Sequence, residues 1–159
     1  MKKIYCRLII AIIFLTMSGA FADEIKQTAP AAGDKCPVCG MFVAKYPDFL
    51  TQIVFKDGSH VFFDGVKDMM KYYFDLAKYN PSKQATDIVS ILVTDYYSLK
   101  LIDGLTAYYV FGSNVYGPMG KELVPFVGEP EAKEFMKDHA GKSIYRFNDI
   151  NSHLIKILD

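Results

Sequence analysis

The chain has 159 residues, of which 51% are hydrophobic, and its 18 basic and 18 acidic side chains cancel. That balance, with no dense run of Lys or Arg, excludes a nucleic-acid-binding surface. Eleven Tyr and 12 Phe supply material for a core that needs no disulfide staples.

Residues 1–22 read as a secretory signal. Lys2, Lys3 and Arg7 form the positive start, Leu8 to Leu15 the apolar centre, and Ala20-Phe21-Ala22 the cleavage site before Asp23. The apolar run is shorter than the roughly 20 residues that a spanning helix needs. No cysteine follows it, so no lipobox is expected, and Cys6 leaves with the signal. The predicted product is a periplasmic chain of 137 residues (159 less 22) with a net charge of -3, because the signal carries three basic and no acidic residues. That length suits one compact domain or two very small ones.

Residues 23–34, ending in Ala29-Pro30-Ala31-Ala32-Gly33-Asp34, have linker composition. The folded part then divides into halves at 35–100 and 101–159. In the first, two β-rich runs between Leu50 and Phe63 flank Lys56-Asp57-Gly58-Ser59, and Asp-Gly predicts a type I′ hairpin. Asp64 is the expected N-cap of a helix through Lys78, with Val66, Met69, Met70, Tyr73, Phe74 and Ala77 at helical spacing. Asn80-Pro81 stops it, and Ile88 to Thr94 is a β-branched strand.

The second half repeats this order. Strands are predicted at Thr106–Phe111 and Leu123–Val127, with turns at Gly112-Ser113-Asn114 and Gly117-Pro118-Met119-Gly120. Pro130 opens a helix that ends by His139, with Gly141 at its C′ position. A strand at Ser143–Phe147 and a short helix at Asp149–Leu158 close the chain. The expected class is α+β: two similar strand-strand-helix-strand halves, with sheet packed against helices.

The chemistry concentrates in Cys36-Pro37-Val38-Cys39-Gly40-Met41, which puts two thiols and a thioether within six residues. Four readings of the cysteine pair stand. A zinc ribbon needs a second Cys or His pair that the sequence lacks. A thioredoxin-type redox site needs a preceding strand and a following helix, whereas here a linker precedes. A structural disulfide across so short a loop restricts the unfolded chain little. Soft-metal binding fits thiolate and thioether donors, the set that selects monovalent copper. In an extended segment Cys39 and Met41 would also point to one face. Met119, in a turn with no apolar periodicity, has no packing role and is a second thioether candidate.

His60 reads as a strand residue, His153 as surface, and His139 as a helix-end cation suited to the dipole. No phosphate loop, nucleophile elbow or H-E-x-x-H motif is present, so no enzyme is expected.

The hexapeptide at Cys36–Met41 resembles the opening motif of the NosL family. So do Val93-Thr94-Asp95-Tyr96, Leu101-Ile102-Asp103-Gly104, Ala107-Tyr108-Tyr109-Val110, Gly117 to Leu123, His139-Ala140-Gly141 and Phe147-Asn148-Asp149-Ile150, in the same order over about residues 35–150. The family comprises copper-binding accessory proteins for nitrous oxide reductase assembly. The resemblance implies one copper(I) ion, with Cys39 and Met41 as ligands and Cys36 and Met119 beside them. It also implies nitrous oxide reductase, its assembly machinery and a transient membrane-complex contact as partners. Two departures from the family pattern are the missing lipobox and Ala140, where a glycine is usual. The rival class is a periplasmic C-x-x-C thiol-disulfide oxidoreductase. A third reading is an organomercurial or heavy-metal binding protein; a lyase of that type needs further cysteines that the chain lacks.

Overall fold

The structure, a computed structural model, describes residues 28–159. The signal at 1–22 and the linker up to Gln27 lie outside the described residues. Two antiparallel sheets carry the fold. The first has the order β2-β1-β3-β4, with β1 at Thr51–Phe55, β2 at His60–Phe63, β3 at Ile88–Thr94 and β4 at Leu101–Asp103. β1 lies between β2 and β3, with Thr51 opposite both Phe63 and Val93. All five of its residues are buried, so both faces are covered. The second sheet has the order β6-β5-β7, with β5 at Tyr108–Gly117, β6 at Gly120–Phe126 and β7 at Ser143–Arg146. The chain is therefore α+β as expected, with helices α1 (Val66–Phe74) and α3 (Glu129–Asp138) packed on the sheets and α2 (Leu76–Tyr79) and α4 (Ser152–Lys156) packed against α1.

The main core joins Ile53, Phe63, Met69, Met70, Ile91 and Tyr109 across both halves, and a smaller one gathers Val110, Val124, Phe126, Ala132 and Phe135 under α3. Among the described residues no helix is long and apolar enough to cross a membrane.

Local chemistry moved several boundaries. The β1–β2 turn is not type I′, which needs two left-handed residues; only Gly58, at φ 79°, is left-handed there. Asp57 instead accepts hydrogen bonds from the Ser59 amide and hydroxyl. The helix expected through Lys78 breaks at Asp75, whose carboxylate accepts from the Lys78 N–H at 3.3 Å and so competes with the helical ladder. Gly112-Ser113-Asn114 forms no turn between strands. Gly112, at φ 77°, lets β5 shift register and run on to Gly117. At the end of α3 the left-handed residue is Ala140, at φ 53°, not Gly141. A Cβ on Gly141 would lie 2.6 Å from Val110 Cγ1, so close packing is what requires glycine there.

Asp95 fastens the two sheets. One carboxylate oxygen accepts from the Ser98 N–H and hydroxyl at 2.8 and 2.7 Å, and the other accepts from Val127 N–H at 2.8 Å, just beyond β6. Asp95→Ala should cost about 2–4 kcal/mol in chemical denaturation, since it strands three donors of charge-assisted bonds. An unchanged midpoint would refute that role.

Candidate metal centre

Cys36 and Cys39 are brought together by a tight turn. Gly40 N–H donates to the Cys36 carbonyl at 2.8 Å, and Cys36 N–H donates to the Met41 carbonyl at 2.9 Å. Gly40 closes the turn at φ 80°, a conformation that favours glycine. The segment is thus folded back and not extended, so the expectation that Cys39 and Met41 share one face of a strand does not hold. The turn aims backbone N–H groups of Val38 and Cys39 at the Cys36 sulfur, and that of Met41 at the Cys39 sulfur. Such donors stabilise thiolate, the form that binds metal.

The turn packs against the start of α1. Cys36 Sγ donates to Asp68 Oδ2 at 3.6 Å, and Cys39 Sγ to Asp64 Oδ1 at 3.2 Å. One donor atom from each of Cys36, Cys39, Asp64 and Asp68 lies within 4.8 Å of all the others, a group able to hold a metal ion. Asp64 is 1% exposed, and its other oxygen, Oδ2, has no hydrogen-bond partner. A buried carboxylate oxygen left unpaired is costly, and the cost is relieved when a cation or a proton is present.

Asp64 is therefore not the cap of α1. The N-cap is Gly65, which has no side chain to offer, and Asp64 faces Cys39. Asp64 was expected as that cap, and neither aspartate was expected beside the thiols. They flank the start of α1, Asp64 two residues before Val66 and Asp68 in the first turn. Two carboxylates stand beside the thiols where the zinc reading looked for a second Cys or His pair.

Burial is the main cause that raises both thiols. It pushes Cys36 up to about 11, against the Val38 and Cys39 amides that lower it. It raises Cys39 too, and the neighbouring thiol and both carboxylates add to the rise. Cys36 is 1% exposed, while Cys39 is half-buried and gives the site its opening. Both cysteines are free thiols.

Met41 closes the turn through its backbone carbonyl and is itself half-buried. Met119 stands at the tip between β5 and β6 with 44% exposure, and its carbonyl accepts from Lys67 Nζ at 2.7 Å. His139 belongs elsewhere. Its ring stacks on Phe135 with centroids 4.4 Å apart, and Nδ1 lies 3.3 Å from Asn114 Oδ1.

A family model described as NosL matches residues 27–155. The chain is 30% identical over 146 residues to a copper-binding lipoprotein NosL of Stutzerimonas stutzeri, covering 84% of this chain and 73% of that protein. Its fold is similar to the crystal structure of a copper chaperone NosL from Shewanella denitrificans, with TM-score 0.69 and 22% identity over 80% of this chain and 97% of that one. With the matching motif run, the fold and the thiol pair all in place, the chain belongs to the NosL family.

Proposed function

We propose that the protein is an exported copper(I) carrier without catalytic turnover, which hands copper over for the maturation of nitrous oxide reductase. The observation that carries this reading is the Cys36–Met41 turn, which presents two sulfurs side by side with backbone N–H donors aimed at each. Cys36 and Cys39 hold the ion as thiolates, and the thioethers of Met41 and Met119 add soft donors. Copper is cargo here. The half-exposed Cys39 provides the face through which it enters and leaves, and Asp64 and Asp68 accept the thiol hydrogen bonds at the site.

The descriptions of the relatives, one a copper-binding lipoprotein and one a copper chaperone, support the same cargo. A lipoprotein relative also supports export, with delivery on the periplasmic side to the enzyme and its membrane-bound assembly machinery. The oxidoreductase alternative requires a depressed Cys36 pKa. Burial that pushes this thiol up to about 11 speaks against it.

Titration of reduced protein with copper(I) against a competing chelator tests the proposal. One equivalent should bind, Cys36→Ser/Cys39→Ser should abolish it, and the loaded protein should reconstitute apo nitrous oxide reductase. Unchanged affinity in the double variant would refute the site.

A further inference from the structure

Lys67 follows Val66 in the first turn of α1 and is 3% exposed. A lysine is rarely buried unless its charge is partnered. This ammonium donates to the carbonyl of Met119 at 2.7 Å and to that of Leu158 at 3.2 Å, with the Asp159 carboxylate 3.8 Å away. Those acceptors come from segments 52 and 91 residues distant. The amide of the same residue donates to Glu122 Oε1 at 2.6 Å.

The start of α1 is therefore tied twice to one β-hairpin tip, at Met119 and three residues on at Glu122. The contact is close-packed. A Cβ on Gly65 would lie 2.2 Å from Glu122 Oε2, and one on Gly117 would lie 3.1 Å from the same atom. The helix start that receives the tip is also where Asp64 and Asp68 meet the two thiols. Meanwhile the Met119 side chain stays 44% exposed. A thioether on a free turn would lose backbone as well as side-chain entropy on binding an ion. Anchoring its carbonyl removes most of the backbone part in advance.

We propose that Lys67 is a positioning residue for metal binding: its buried ammonium holds the Met119 turn against the start of α1 and keeps that thioether within reach of the ion at Cys36 and Cys39. Lys67 itself touches no metal. The inference rests on the reading of Met119 as a copper ligand.

A double-mutant cycle tests it, with copper(I) affinity and the methyl carbon signal of Met119 as separate readouts. Lys67→Met should weaken copper(I) binding roughly 10- to 100-fold, the range for a partner one shell out from the ion. Met119→Leu should weaken it to a similar degree, and the double variant should be no weaker than Met119→Leu alone. The Met119 methyl signal should shift on copper addition in wild type and stay put in K67M. Lys67→Gln, which loses the ammonium but keeps a polar end, serves the same cycle where K67M does not fold. Additive losses, or a methyl shift equal to wild type in either Lys67 variant, would overturn the role of Lys67. A wild-type Met119 methyl that ignores copper would instead overturn the assignment of Met119 as a ligand.

Discussion

Copper(I) affinity should rise roughly 10^4-fold between pH 6 and pH 8, because each thiol must lose its proton to become a ligand. The sign follows from the two cysteines. Burial pushes Cys36 up to about 11 and raises Cys39 as well. Both thiols are thus fully protonated across this window in the free protein. Each one that binds copper releases one whole proton, and each proton released makes affinity climb about tenfold per pH unit. Two thiolate ligands give two decades per unit. Cys36→Ser or Cys39→Ser should leave one decade per unit and a weaker site. Raising pH favours loading, and lowering it favours release.

The measurement is chelator competition at several pH values, corrected for the protonation of the chelator. A wild-type slope of one decade would show that only one thiol ligates. A flat profile would show that the protons stay in the protein after transfer, on the Asp64 and Asp68 carboxylates that already accept from the two sulfurs. Either result would revise the site in a stated way, and a falling affinity with pH would refute thiolate ligation altogether.

The thiols were legible in the sequence because their chemistry is local: two cysteines in one hexapeptide state the donors, although the extended geometry expected there gave way to a turn closed at Gly40. The hairpins and β3 were legible for the same reason, from period-2 and β-branched runs bounded by Gly and Asp. Asp64 and Asp68 were not. A carboxylate just before an apolar periodic run is first of all an N-cap signal. Only tertiary packing shows that the carboxylate turned away from its own helix towards Cys39, 25 residues back. β4 at Leu101–Asp103 escaped as well, since three residues carry no period and its pairing with β3 depends on the intervening loop. Lys67 and Glu122 were invisible for a similar reason. A charged pair on a helix start and a strand reads as solvated surface until the two elements are seen to close over it.

Replacing Glu122 by Gln should make the protein more stable at pH 8 by several kcal/mol and leave it nearly unchanged at pH 5. Because Asp64 is engaged at Cys39 and the N-cap Gly65 has no side chain, α1 has no local cap. Glu122 supplies a substitute from 55 residues away, accepting from Lys67 N–H at 2.6 Å and from Leu123 N–H at 2.9 Å. The residue is 4% exposed. Burial pushes its carboxyl from 4.5 up to about 8, against the two amides and the Lys67 ammonium that favour the charged form, while Asp68 adds to the rise. A pKa raised in the folded state means that folding holds the proton more tightly than the unfolded chain does. The associated stability is present in full below the unfolded value of 4.5 and is lost as pH climbs through about 8. At about 1.4 kcal/mol per unit, the loss has a ceiling of roughly 5 kcal/mol. Gln keeps an acceptor for the amides and cannot ionise. Urea unfolding of both proteins at pH 5 and pH 8 should therefore give curves that coincide at the lower pH and separate at the higher. Curves that stay parallel would show that the amides and Lys67 already hold Glu122 ionised. In that case the missing local cap is replaced by a full negative charge at the helix start, where the dipole favours one.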